Sequence, residues 1–337
     1  MYIHVLPPIC REVELSLSGE NLYVFFSEWL SHSIGRIAVP AFFVFSGYFF
    51  FHRMKEWGAK FYKTQLLKRF YSLFLPYLIW NFLAVFIVSL KFYVFEKFGI
   101  AQSETSSPLQ NPDFAHIFWL GPANYPLWYM RDLLCMVVIS PLFYLLFRYL
   151  KIYGLLLIYL LYILNIELGV IGLSSTAIFY FGLGAYLGLF KMNLLEKSLQ
   201  LRYIAMPLTL ILPVVATLIY GKSEMYEYII RFFIPFGLVT LMSMIYRCRD
   251  NNSISSFLKN SERFVFFIYV AHSFLIIGWV KGFFARLSFI KANALGDFVS
   301  YLLIPMVTIL LCVIIYIVWH LVSPKSLSFV LGGRATR

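Results

Sequence analysis

Charge is what this sequence has least of. Asp, Glu, Lys and Arg together supply 13% of its 337 residues, against roughly 25% in a soluble globular domain. A water-facing surface cannot be built from half the usual charge, so a soluble fold is excluded. Acidic residues are the scarcer sign, 16 against 28 basic ones. The four cysteines, Cys10, Cys135, Cys248 and Cys312, stand at no metal-ligand spacing, and most lie in apolar runs. They read as small core residues. The six histidines form no pair at helical or metal spacing, so no metal site is expected. Neither common Gly-rich phosphate loop is present. There is no internal repeat, no low-complexity tract, and no basic start followed by an apolar core of the kind a signal peptide carries. No long polar stretch exists to fold separately, so residues 1–337 read as one membrane domain.

What the sequence has instead is apolar surface: 61% hydrophobic and 20% aromatic. A spanning helix needs about 20 mostly apolar residues. Candidate runs fall at 34–51, 73–95, 127–147, 152–166, 174–190, 203–220, 227–246, 264–284 and 298–322. These nine do not alternate over about ten residues as barrel strands do. The expected fold is an all-α, polytopic integral membrane bundle. Gly182, Gly184 and Gly188 in FYFGLGAYLG read as small residues for close helix packing.

Lys and Arg collect in cytoplasmic loops. Segments 52–72, 148–151, 191–202, 247–263 and 323–337 hold eighteen, whereas 10–33, 96–125, 166–173, 221–228 and 284–297 hold five. Rich and poor segments alternate without a break. The run 34–51 therefore crosses from outside to inside, and the C-terminus is cytoplasmic, in a cell inner membrane. The net charge of +12 follows from this bias and from contact with anionic membrane lipids, and needs no nucleic acid. The same alternation puts residues 10–33 outside, yet Met1–Ile9 are too few to span. The expectation is that the chain opens inside the end of a truncated first helix, making ten spans. The alternative is a first residue already outside.

Polar groups inside apolar runs are costly and mark candidate sites. His4 lies in MYIHV, either on a frayed terminus or at a site. Arg36 in SIGRIAVPAFF either snorkels outward or points inward to hold an anion. Ser46, Gly47 and Tyr48 sit low in the same helix, where a hydroxyl and a close-approach glycine serve either packing or a ligand. Trp128 and Tyr129 read as an interfacial belt. Arg131 and Asp132 follow in PLWYMRDLLCM, about 100° apart on a helix, so they need not pair, and Arg131 can simply face headgroups. His272 lies mid-run in FFIYVAHSFLI, either a neutral histidine bonded to a carbonyl or a site residue. Lys91 and Arg231 sit near helix ends, where snorkelling suffices.

Four of these strings together resemble acyltransferase family 3, the membrane O-acyltransferases. VPAFFVFSGYFFF resembles the family's second-helix signature. LLKRFYSLFLPYLIW resembles its basic loop and Pro-Tyr helix entry. PLWYMRDLLCMVVISPLF and FFIYVAHSFLI resemble its Leu-Trp and late histidine segments. The match runs in the family's order over most of the chain. YIHV at residues 2–5 resembles the histidine end of the family's first helix, whose arginine has no counterpart here.

The resemblance implies acyl transfer, usually of acetyl, from a cytoplasmic acyl-CoA such as acetyl-CoA. The acceptor would be a sugar hydroxyl of a surface polysaccharide or its lipid-linked precursor, with no permanently bound cofactor. His4 would be the general base, because an imidazole suits proton removal near neutrality. Ser46 or a backbone N–H would donate to the oxyanion. Lys68 and Arg69 would hold the donor's phosphates, and Arg36 would serve the acceptor or orient His4. Gly47, Tyr48, Trp128, Arg131 and His272 complete the expected binding residues. Two other classes share the composition: a transporter or flippase of a glycan or lipid intermediate, which would be expected to show paired repeats or broken helices, and a non-catalytic membrane partner.

Overall fold

The computed structural model describes residues 1–6, 11–14, 16–99, 113–249, 251–287 and 293–334. Among the described residues every regular element is helical. The α-helices are α1 (Gly19–Glu28), α2 (Ala38–His52), α3 (Ala59–Arg69), α4 (Leu75–Lys97), α5 (Trp128–Val138), α6 (Ser140–Ile163), α7 (Ser175–Leu189), α8 (Leu194–Ile219), α9 (Met225–Cys248), α10 (Asn252–Ala271), α11 (Ile277–Phe284), α12 (Ala294–Val322) and α13 (Pro324–Val330). Short polar residues set many of the starts. Ser18, Ser174, Asn193, Asn251 and Asn293 each accept a backbone N–H from the first turn that follows, which satisfies a donor the helix itself cannot pair. π-helical or 3-10 turns join several helices end to end. Trp29–Ser33 and Ile34–Ile37 link α1 to α2, Phe70–Phe74 links α3 to α4, and His272–Ile276 links α10 to α11.

Six helices among the described residues are long and apolar enough to cross a membrane, at Gly19–His52, Ala59–Lys97, Ser140–Ile163, Leu194–Ile219, Met225–Cys248 and Ala294–Val322. Nine were expected, and the shortfall has local causes. The run 127–147 breaks between Val138 and Ser140, and 174–190 makes a helix of only 15 residues. The run 264–284 continues a helix that starts in the polar stretch at Asn252 and is interrupted by a π turn at His272. Within α6, Lys151 has φ 47 and ψ −123. A Cβ on Gly154 would lie 2.8 Å from Leu146 Cγ, although eight residues of straight helix rise about 12 Å. The chain therefore doubles back at Lys151, in the short basic link 148–151, so Ser140–Ile163, counted above by length, is two shorter helices on either side of that reversal.

The closest helix pair is α2 against α7. A Cβ on Gly47 would stand 2.1 Å from the Phe181 carbonyl oxygen, and one on Gly184 would stand 2.0 Å from that of Val44. Only glycine permits backbones this near, which is the packing expected of the FYFGLGAYLG segment. Gly47 is thereby a packing residue and lines neither cavity described below, in place of its expected binding role. Of the cysteines, Cys312 is buried, Cys135 and Cys248 are half-buried, and all three are free; Cys10 lies outside the described residues.

The loops that charge counting groups together also meet in space. At one end Lys191 Nζ donates to the carbonyls of His52 and Met54, and Trp80 Nε1 donates to Val330 O at 3.1 Å. At the other end Lys222 Nζ donates to Val13 O, and Arg231 donates to Tyr162 O at 2.8 Å and to Asn165 Oδ1 at 2.5 Å. Arg231 thus clamps two loops and does not snorkel. Arg131 also differs from its expected place at headgroups. It is 8% exposed, reaches Asp132 Oδ1 at 2.8 Å, and donates to the Trp119 carbonyl at 2.7 Å. Its flexible stem overcomes the 100° offset that separates neighbours on a helix, because an unpaired buried charge would cost far more than the bend.

Candidate functional site

Two cavities open next to one another in the bundle. The smaller, about 270 Å³, is lined by His4, Ala84, Val88, Ala123, Asn124, Tyr125, Ser273 and Ile277. The larger, about 700 Å³, takes Phe42 and Ser46 from α2, Arg69 from α3, Tyr129, Met130 and Leu133 from α5, Lys259, Arg263, Phe266 and Tyr269 from α10, and Arg334 from the C-terminal segment.

His4 ends a 3-10 turn, Tyr2–His4. Tyr2 rests against Tyr301 with ring centroids 5.3 Å apart, and Lys281 Nζ donates to the His4 carbonyl at 3.3 Å. These contacts anchor the turn and present the imidazole to the small cavity. The His272 ring stands 5.2 Å from it, centroid to centroid. His272 is 6% exposed, and its Nδ1 lies 2.9 Å from the carbonyls of both Ile268 and Tyr269. A carbonyl only accepts, so Nδ1 carries the proton and Nε2 holds the free lone pair. The carbonyl-bonded state expected of a buried histidine is therefore present, and it is also the arrangement that readies Nε2 as a base. The π turn begins at this residue, a distortion common at functional sites.

The floor of the small cavity is a polar lattice. Asn124 Nδ2 donates to Val270 O at 2.7 Å, its backbone N–H donates to Asn81 Oδ1 at 3.2 Å, and Ser273 Oγ donates to Asn124 Oδ1 at 3.0 Å. Just beyond it, Tyr269 donates to Pro126 O at 2.6 Å. Tyr269 lines the large cavity and Ser273 the small one. Four residues of α-helix rise about 6 Å, so the two spaces are separated by little more than one turn.

The large cavity is basic. Arg69, Lys259, Arg263 and Arg334 line it with a single carboxylate, Glu262. Among the described residues none of the four cations forms an ion pair, and the buried Nε of Arg69 has no hydrogen-bond partner. Farther in, the Tyr129 ring meets Phe43 at 4.7 Å, and both Tyr129 and Ser46 line the space. Tyr129 is therefore a cavity residue and no part of an interfacial belt.

Of the residues singled out in the sequence, the structure puts His4 in the wall of the small cavity with His272 behind it in ring contact, and Ser46 and Arg69 in the wall of the large one. It does not place Ser46 beside His4. Arg36 joins neither cavity: it pairs with Glu227 at 3.3 Å and covers the Tyr226 ring at 5.6 Å. Tyr48 stacks on His52 with centroids 4.8 Å apart. Lys68 is exposed, and Trp128, half-buried, lines neither space. Asn124, Ser273, Tyr269, Lys259, Arg263 and Arg334 were not anticipated. Asn124 and Arg334 lie outside the long helices, and Lys259 and Arg263 lie in the polar first part of α10, where polar residues are ordinary and carry no signal until the fold gathers them.

No solved structure matches the chain. Over 172 residues it is 30% identical to the succinoglycan biosynthesis protein ExoH of Rhizobium meliloti (strain 1021), an alignment covering 49% of this chain and 44% of that protein. The chain thus matches less than half the length of that relative. Residues 1–317 match the family described as an acyltransferase domain. With its apolar helices and its paired cavities, the chain belongs to acyltransferase family 3, the membrane acyltransferases.

Proposed function

We propose that this protein moves an acyl group, acetyl by preference, from acyl-CoA to a sugar hydroxyl of a surface polysaccharide or of its lipid-linked precursor. The observation that carries the reading is the pairing of a basic cavity with a histidine-lined one across roughly one helical turn. The large cavity lies at the end where the Lys- and Arg-rich loops meet, which positive-inside bias assigns to the cytoplasm. Its unpaired guanidinium groups suit the phosphates of CoA, and its apolar lining at the buried Met130 and Leu133 and the half-buried Tyr269 suits the pantetheine arm. The small cavity at the opposite side carries no phosphate-type cluster and suits a neutral hydroxyl. The kinship with a succinoglycan biosynthesis protein supports a polysaccharide acceptor.

In this reading the acceptor oxygen attacks the thioester carbonyl while His4 takes its proton. The tetrahedral intermediate then expels the CoA sulfur, which recovers that proton as a thiol. The products are the sugar ester and free CoA. His272, held by two carbonyls, stands beside His4 with its ring 5.2 Å away, and the Ser273 and Asn124 lattice orients the acceptor.

Mass spectrometry of surface glycans from cells with and without the gene tests the proposal. The expected result is one acetyl mass lost per modified sugar in the deletion, restored by the wild-type gene and not by His4→Ala. Unchanged glycans in the deletion would sink it.

A further inference from the structure

The family match stops at residue 317, inside α12. The chain continues through α13 and folds back onto the bundle. Leu327, Val330 and Leu331 are all buried, at 0%, 9% and 1% exposure. Trp80 in α4 grips the segment through the Val330 carbonyl. Gly332 then turns with φ +64, where a Cβ would lie 2.7 Å from the Tyr71 carbonyl oxygen. That turn delivers Arg334 to the wall of the large cavity. Its guanidinium lies 3.8 Å over the Phe266 ring, and one Nη1 bond goes to Leu331 O at 2.9 Å. The remaining donors of the planar fork are left for the cavity.

Burial first, and then the nearby Arg69 charge, bring the Arg334 guanidinium down to about 10. Two arginines with no carboxylate between them make an arrangement that gains from a multivalent anion. A phosphate offers the matching geometry, since a guanidinium can meet it with two parallel bonds. The stacking on Phe266 pre-orients the fork and lowers the entropy lost on binding.

We propose that the segment 323–334 is a working wall of the donor cavity, and that Arg334, acting with Arg69 and Arg263, binds the phosphate groups of the acyl donor. The proposal rests on reading that cavity as the donor site. An anionic lipid headgroup offers the same phosphate chemistry, and the two sources separate by experiment.

The protein is purified in nanodiscs of phosphatidylcholine, and binding is measured for acetyl-CoA and for acetyl-pantetheine, which lacks phosphates. Loss of a charge-assisted contact of about 1.5–3 kcal/mol corresponds to roughly 10–100-fold in affinity. Arg334→Gln is expected to weaken acetyl-CoA by that factor and to leave acetyl-pantetheine unchanged, with Arg334→Lys intermediate. If Arg334→Gln fails to fold, Arg263→Gln carries the same expectation. Equal weakening of both ligands, or no weakening of either, would overturn the assignment of Arg334 while leaving the donor cavity standing. Nanodiscs containing phosphatidylglycerol form the second arm. Selective loss of retained phosphatidylglycerol by Arg334→Gln, with acetyl-CoA affinity intact, would make the cluster a lipid site and overturn the proposal. Absence of acetyl-CoA binding by the wild-type protein would overturn the donor reading itself.

Discussion

The two cavities adjoin and share almost no chemistry. The large one gathers four cations against one carboxylate, from α3, α10 and the C-terminal segment. The small one holds His4 with neutral Asn124, Ser273 and Tyr125 and with apolar residues. Their contrast shows that one bundle can build two chemically unlike spaces side by side. In the proposed reading, phosphates are held by fixed charge at an end where water and loops are near. A sugar hydroxyl needs instead a base and neutral hydrogen-bond partners. Two segments connect the cavities: Tyr269 and Ser273 on one side, and the run from Asn124 to Leu133 on the other, tied together by the Tyr269–Pro126 and Asn124–Val270 bonds.

That contrast is tested most severely at the histidines. His4→Ala is expected to lower acyl transfer by about 10²–10⁴-fold, the range for a positioned base, with acetyl-CoA affinity unchanged. His272→Ala should fall in the same range if Nε2 shares the proton, and within a few-fold of wild type if it serves only packing. Glycan mass spectrometry and a CoA binding assay read both. A loss of donor affinity in His4→Ala would erase the division of labour between the cavities.

Structural variants come next in size. Arg131→Met leaves Asp132 buried without its partner, and breaking such a pair costs about 3–5 kcal/mol. Thermal unfolding in detergent should show a large drop, and Arg131→Met combined with Asp132→Leu should recover part of it. No drop would mean that Arg131 faces headgroups after all. Gly47→Ala should cost about 1–3 kcal/mol, the range for overpacking, because its added methyl meets the Phe181 backbone. The same melting experiment checks it.

The smallest effect sharpens the contrast from outside. Arg36 pairs with Glu227 while their side chains stay 34% and 44% exposed. Such pairs are worth about 0–1 kcal/mol. Arg36→Met is therefore expected to leave both transfer and melting near wild type. A loss of transfer without a loss of stability would return Arg36 to the acceptor site.

Much of this was legible in the sequence, for identifiable reasons. His4 and His272 stand out because a polar group in or beside an apolar run is expensive wherever the fold puts it, and Arg69 because it lies in a basic loop beside a helix entry. The FYFGLGAYLG segment announces close packing through its spacing. Tyr129 was misread because an aromatic beside a tryptophan at a helix start resembles a belt equally well. Arg131 was misread because angular offset along a helix says little about where a long, flexible side chain ends. Arg36 was expected at a site as a charge opening an apolar run and Gly47 as a position of close approach, yet Arg36 meets Glu227 and Gly47 meets the Phe181 backbone. Lys259, Arg263 and Arg334 had no signal, being basic residues among many at one end.

By itself the sequence determined that the chain is a helical membrane bundle and which loops share an end. Hydropathy and charge are properties of single segments, and water and lipid sort them without reference to partners. The tertiary structure alone decided which side chains share a cavity. That depends on which faces of distant helices meet, and on a C-terminal turn that brings Arg334 to Phe266. It also decided that His4, one turn from the first residue, stands 5.2 Å from His272. No local pattern encodes such a meeting, because it is set by the packing of the helices between them.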